Sequence, residues 1–255
     1  MNSRSTVIDV LRTAGCVFAE DEADLLISTA TTPAALTAMI DRRVEGVPLE
    51  QIVGWALFRE LRVSLDPGVF VPRRRSEFLV EEALKLVPRP AVVVDLCCGS
   101  GALGIALAAA SDDVELVAAD VEPAAVRCAR RNVEAVGGRV FEGDLFEPLP
   151  TDLKGRVDVL LANVPYVPSE AVALMPPEAR LHEPRVALDG GVDGLDVLRR
   201  VAAEAAAWLA DGGHLLVETS DRQAAEAVAV MTVNGLTAWS TYDDDRGATV
   251  VIGKR

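Results

Sequence analysis

The sequence predicts an α/β fold: a mostly parallel sheet covered by helices on both faces, behind a small helical N-terminal domain and a β-hairpin linker. Two observations predict it. From Pro90 onward, short apolar runs alternate with helical patterns, and strands buried on both faces read as continuous apolar runs. Before Leu86 the pattern is a series of short amphipathic helices. The change falls at LVPRPA (86–91) and divides the 255 residues into roughly 1–85 and 86–255.

Taken in order, Val7, Val10, Leu11 and Ala14 share one helical face, and Ala23, Leu25, Leu26 and Ala30 a second. Pro33 opens a third helix carrying Leu36, Met39 and Ile40. VGWALFRELRVSLDPGVFV (53–71) reads as two strands around an Asp66-Pro67-Gly68 turn. A helix follows from Ser76, a suitable N-cap, through Leu86. Then AVVVDL is a strand, ALGIALAAA a helix, VELVAADV a strand, and PAAVRCARRNVEAV a helix with proline at its start. RVFEGDLF and VDVLLANV are strands. Gly194 to Leu209 is helical, GGHLLVETS a strand and DRQAAEAVAVMTVNG a helix. LTAWSTYDDD and ATVVIGKR close the sheet.

Composition excludes several classes. The net charge of −14 argues against a protein that mainly grips duplex DNA, because that affinity comes from Lys and Arg on phosphates. The acidity is uneven: residues 1–85 carry 10 Lys+Arg and 13 Asp+Glu, and residues 86–255 carry 15 and 26. No apolar run reaches the ~18 residues of a membrane span, and the first residues show no secretory signal. Cys16, Cys97, Cys98 and Cys128 have no zinc-ligand spacing, so no metal is expected and the thiols are expected to be reduced in a cytoplasmic protein. With 4% aromatics, stacking platforms for single strands are scarce.

The first chemical signal is VVVDLCCGSGALGIALA. A strand ends at Asp95, a loop carries Gly99 and Gly101, and a helix starts near Ala102. Glycines allow backbone to approach a ligand, and ligands of open α/β sheets sit at the carboxyl ends of strands. The next strand ends in Asp120, whose carboxylate can accept both hydroxyls of a ribose. That spacing suits NAD and S-adenosylmethionine alike. The acid ahead of the loop repels a pyrophosphate but can hold an ammonium group, which favours S-adenosylmethionine. A third strand ends in Asp144-Leu145, placed to flank an adenine.

The sharpest signal is VDVLLANVPYVP (157–168), a strand running into Asn163-Val164-Pro165-Tyr166. A neutral amide or exocyclic amine is planar and weakly nucleophilic. Two carbonyls, the Asn163 side chain and the Val164 backbone, can bind its two N–H groups and stabilise the charge that grows during attack on a methyl. Pro165 fixes the loop and Tyr166 can lie against the planar group. His182, His214 and Asp243–Asp245 read as structural, and Glu218 either lines the site or supports it.

Together these motifs resemble a class I S-adenosylmethionine-dependent methyltransferase, Rossmann-like with a seven-stranded sheet. RRVEGVPLEQIVGWALFRELRVSLDPGVFVPR (42–73), EFLVEEAL (77–84) and HEPRVALDGGVDGLDVLRR (182–200) narrow the resemblance to the HemK/PrmC family, the protein-(glutamine N5) methyltransferases of peptide-chain release factors. The resemblance implies that 1–85 docks a release factor and 86–255 is catalytic. It implies that Cys97, Cys98, Gly99, Ser100, Gly101, Asp120, Leu145 and Asn163 contact the cofactor and that 163–166 hold a glutamine of a Gly-Gly-Gln loop. No membrane and no direct nucleic-acid contact is expected. The alternatives are N6-adenine methylation of DNA or RNA, which poses the same chemical problem, and a non-catalytic adapter.

Three departures stand out. Val164 replaces the first proline of the family's Asn-Pro-Pro-Tyr. Pro-Arg-Pro-Glu-Thr-Glu has become Pro72-Arg73-Arg74-Arg75-Ser76-Glu77, which puts three positive charges beside the entrance. They suit either a solvated turn or contact with an acidic partner or RNA. Cys97 stands at the loop's first glycine position, and Leu145 at one that is often aromatic.

Overall fold

The computed structural model describes residues 3–255. Four helices come first: α1 (Arg4–Thr13), α2 (Ala19–Thr29), α3 (Pro33–Val44) and α4 (Leu49–Val53). Ser3 and Thr32 cap α1 and α3 by accepting from Thr6 N and Ala35 N. The helices share a core of Val7, Ile8, Leu11, Ala23, Leu26, Ile40 and Ile52. Ile8 takes the place expected for Val10, which is 39% exposed. The face of α1 is rotated because α2 and α3 both pack against it.

The hairpin is β1 (Trp55–Phe58) and β2 (Leu61–Ser64), antiparallel with Phe58 opposite Leu61. Its turn is Arg59-Glu60, not the expected Asp66-Pro67-Gly68. Both turn residues have positive φ, 46° and 64°, as a two-residue hairpin requires to match strand twist. Asp66-Pro67-Gly68 makes a separate turn after β2, closed by Val69 N–H on the Asp66 carbonyl at 3.2 Å. The helix α5 (Glu77–Leu84) then begins after a 3₁₀ turn over Arg74–Ser76. Ser76 makes no capping hydrogen bond.

The sheet contains β3 (Ala91–Leu96), β4 (Val114–Asp120), β5 (Arg139–Glu142), β6 (Val157–Ala162), β7 (Leu209–Thr219), β8 (Thr237–Asp243) and β9 (Ala248–Lys254). Its order is β5-β4-β3-β6-β7-β9-β8. The first four pairings are parallel, and β9 pairs antiparallel with both β7 and β8. β5 stops at Glu142, before the expected Asp144-Leu145, because Gly143 at φ 157° and Leu145 at φ 49° turn the chain. The crossovers are α6 (Ala102–Ala110), α7 (Pro123–Val133), the short α8 (Pro177–His182), α9 (Asp196–Trp208) and α10 (Ala224–Val233).

Successive strand residues point to opposite faces, and the core divides accordingly. Val94, Leu96, Leu160, Leu215 and Val251 pack under α9 and α10. Val93, Leu161, Leu216 and Ile252 pack under α5, α6 and α7. Phe58 and Val63 join this second cluster, and Ser64 of the hairpin exchanges hydrogen bonds with Asn132 of α7 at 3.0 and 2.9 Å, so the hairpin is anchored on the helical layer over the sheet. Among the described residues no helix is long and apolar enough to cross a membrane.

Candidate functional site

At the carboxyl ends of β3, β4 and β6 lies one cavity lined by Cys97–Ser100, Asp120, Asp144, Leu145, Asn163–Tyr166 and Glu218. Sequence-predicted residues from five separate segments therefore meet there. Asp95 and Gly101 lie just outside the lining. Asp95 is fully buried beneath the loop, where its Oδ2 accepts from Gly104 N at 3.0 Å and its Oδ1 has no partner. Burial raises its carboxyl to about 7 against the pull of the Gly104 N–H.

The loop needs two glycines for different reasons. Gly101, at φ 79°, has no room for a side chain: a Cβ would meet Val133 Cγ2 at 2.7 Å. Gly99, at φ 56°, faces open space, so its lack of a side chain leaves room for a ligand. Cys97 is itself at φ 52°, a left-handed conformation that L side chains rarely hold. Burial, with Asp120 and Asp95 nearby, pushes its thiol well up. Asp120 accepts from Gly99 N at 2.8 Å and from Glu122 N at 2.9 Å. Burial still raises its carboxyl above the ordinary value. Asp144 pairs with Arg200 of α9 at 2.6 Å.

The Asn163–Tyr166 segment is held from three sides. Asn163 Nδ2 faces Ser76 Oγ at 3.5 Å. Among the described residues, neither Asn163 Oδ1 nor the Val164 carbonyl accepts a hydrogen bond. Gln223 Nε2 donates to the Tyr166 carbonyl at 2.9 Å. The Tyr166 hydroxyl donates to Glu218 Oε1 at 3.0 Å and accepts from Arg75 Nη2 at 2.7 Å. Burial and the Glu218 charge push the phenol well up, and Arg75 opposes them.

The third side is the 188–194 segment. Val167 N donates to Leu188 O at 3.0 Å and Gly190 N to Val167 O at 2.8 Å. A Cβ on Gly190 would come within 2.6 Å of the Pro165 carbonyl, and one on Gly194 within 2.2 Å of the Tyr166 carbonyl. Sequence reasoning missed this brace; the run Asp189-Gly190-Gly191 and Gly194 was its only trace.

The three arginines do not form a free basic patch. Arg73 Nη2 donates to both carboxylate oxygens of Glu183 at 2.6 Å, and Arg75 Nε to Glu218 Oε1 at 2.9 Å. Of the three, only Arg74 makes no ion pair among the described residues. Both buried acids lie more than a hundred positions away, beyond the reach of any local spacing rule. Ser76, expected to cap a helix, instead turns its hydroxyl toward Asn163. His182 lies outside the cavity lining, with its Nε2 buried and unpartnered, and His214 sits beside Trp239.

The family described as "Methyltransferase small domain" matches residues 60–191. The chain is 38% identical over 224 residues to the release factor glutamine methyltransferase of Geobacter sulfurreducens, covering 87% of this chain and 78% of that one. It is 36% identical to the 4-amino-L-phenylalanine/4-methylamino-L-phenylalanine methyltransferase of Streptomyces pristinaespiralis, covering 79% and 70%. The solved methyltransferase from Pyrococcus furiosus has the same fold, with a TM-score of 0.58, 17% identity, and coverage of 76% of this chain and 88% of that one. On that footing the chain belongs to the family of the release factor glutamine methyltransferases.

Proposed function

We propose that this chain transfers the methyl group of S-adenosylmethionine to the side-chain amide nitrogen of a glutamine in a peptide-chain release factor. One observation carries the reading. Asn163 and Val164, whose carbonyls accept no hydrogen bond among the described residues, line the same cavity as the glycine loop and Asp120.

The residues that touch the cofactor in this reading are 97–100, Asp120, Asp144, Leu145 and Asn163; Asp95 and Gly101, expected among them, lie behind the lining and shape the loop from beneath. Several features support them. The space over Gly99 admits a ligand against the backbone. Each Asp120 oxygen accepts one N–H and keeps a lone pair for a ribose hydroxyl. Leu103, Val121, Leu145 and Val197 give the cavity an apolar wall for an adenine. When bound, S-adenosylmethionine supplies an electrophilic sulfonium methyl.

Asn163, Val164, Pro165 and Tyr166 do the rest. The Asn163 Oδ1 and Val164 carbonyls accept the two N–H groups of the amide, aim its nitrogen and stabilise the positive charge that grows there. Val164 is 2% exposed, so core packing holds its carbonyl in place. Tyr166 has its hydroxyl engaged on both sides and lays its ring beside the acceptor; it is not a base. Helices α1–α4, which have their own core, dock the protein substrate, while the hairpin and α5, which share the core of residues 86–255, join those residues in carrying the chemistry, in the cytoplasm. The internal pairing of Arg73 and Arg75 removes the best local support for a nucleic-acid acceptor.

The test supplies methyl-labelled S-adenosylmethionine with release factor, with DNA or RNA, and with 4-amino-L-phenylalanine. Label on a release-factor glutamine is expected. Label confined to nucleic acid or to the arylamine overturns the proposal, and cofactor binding without transfer points to an adapter. Asn163→Ala abolishes transfer while weakening cofactor binding only modestly; wild-type turnover in that variant refutes the site.

A further inference from the structure

Arg75 stands where the family has an acid, and nothing in the amide chemistry above uses it. It belongs to the 3₁₀ turn Arg74–Ser76, yet it touches two distant parts of the cavity. Its Nε donates to Glu218 Oε1 at 2.9 Å and its Nη2 to the Tyr166 hydroxyl at 2.7 Å. The Tyr166 hydroxyl in turn donates to the same Glu218 oxygen at 3.0 Å. The three groups close a ring. Glu218, from β7, has a side chain only 3% exposed, whereas that of Arg75 is 45% exposed. The next residue of the turn, Ser76, faces Asn163. One short turn therefore meets both ends of the 163–166 segment.

We propose that Arg75 is a positioning residue of the acceptor subsite: its guanidinium fork fixes the Tyr166 ring and the Glu218 carboxylate in one arrangement. The proposal rests on the reading that 163–166 hold the acceptor. A planar fork can address two oxygens at fixed angles, which an ammonium cannot. Only one Glu218 oxygen is engaged. The other, Oε2, is buried without a partner, and among the described residues Arg75 is the only cation paired with this carboxylate. A ring free to swing would leave the amide misaligned, and displacements of about 1 Å lower rates by as much as ~100-fold.

The experiment compares Arg75→Ala, Arg75→Lys and Tyr166→Phe in the full chain. Arg75→Ala is made also with Glu218→Gln, so that no unpaired carboxylate is left buried. The readouts are kcat and KM with release factor, cofactor Kd by calorimetry, and NMR of ¹³C-tyrosine-labelled protein. The chain has two tyrosines, so Tyr242→Phe assigns the signals. Arg75→Ala lowers kcat about 10- to 100-fold, with cofactor Kd unchanged within about 2-fold. It shifts and broadens the Tyr166 ring resonance alone. Arg75→Lys recovers part of the rate. In the Tyr166→Phe background the loss from Arg75→Ala is much smaller, because coupled groups are not additive. Unchanged kcat, a loss of cofactor affinity as large as the loss of rate, or full additivity with Tyr166→Phe overturns the proposal. If wild type transfers no methyl to release factor, the acceptor reading fails instead. The NMR comparison then decides the role of Arg75: an unmoved Tyr166 signal refutes it.

Discussion

Replacing Arg73 with alanine tests how the cavity wall is tied together. Glu183 has a fully buried side chain, and Arg73 meets both of its oxygens at 2.6 Å. The other donor to Glu183 is Val71 N at 3.2 Å. Removing one partner of a buried pair costs roughly 3–5 kcal/mol. The Arg73 side chain is 31% exposed, so water reaches the vacated place and the lower end, about 3 kcal/mol, applies. An unfolding entropy of about 2 cal/mol/K per residue gives about 0.5 kcal/mol/K for 255 residues, hence a Tm lower by about 6 °C. The loss depends on pH. Burial raises the Glu183 carboxyl in the folded protein even with Arg73 opposing it, and without Arg73 it rises further. A raised acid binds protons more tightly folded than unfolded, so stability falls as pH rises through the shifted range. The gap between variant and wild type is therefore large at pH 7.5 and small near pH 4.5. Calorimetric melts at both pH values check this, with Arg73→Ala/Glu183→Gln as the control that recovers much of the loss. An equal gap at both pH values, or a drop under about 1 °C, refutes the reasoning.

Two further outcomes follow from the geometry. Asp120→Ala removes the acceptor of two backbone N–H groups and, in the proposed function, of the ribose hydroxyls; charge-assisted hydrogen bonds contribute about 1.5–3 kcal/mol each. Cofactor Kd weakens at least about 10-fold by calorimetry, and a change under about 3-fold excludes this carboxylate from the site. Gly190→Ala forces a Cβ to within 2.6 Å of the Pro165 and Gly194 carbonyls. Overpacking of this kind costs about 1–3 kcal/mol, so Tm falls and turnover falls with it; a variant with wild-type kcat shows that the brace does not position the motif.

The parts of the molecule that could be read from the chain share one property: local pattern. The strand-and-helix alternation, the glycine loop and Asn163–Tyr166 each announce themselves within a dozen residues. The hairpin turn did not, because Arg59-Glu60 carries none of the Gly, Asn or Asp that left-handed positions favour. Asp66-Pro67-Gly68 carries the stronger turn composition, yet it turns the chain only after β2 has ended. Arg75 and Glu218 are 143 positions apart, and no spacing rule joins them. Ser76 has the local setting of an N-cap but makes no capping bond, because tertiary contact with Asn163 gives its hydroxyl a different partner.

The burial of Val164 has a consequence for how such enzymes diverge. Its side chain packs into the same cluster as Leu160, Leu195 and Leu198, while its neighbour's carbonyl rests against Gly190. The course of the main chain at this point is thus set by an apolar anchor and a glycine cushion, and a second pyrrolidine ring is dispensable. Other apolar residues of valine's size should be interchangeable there at little expense, and a search that demands two consecutive prolines would pass over functional members.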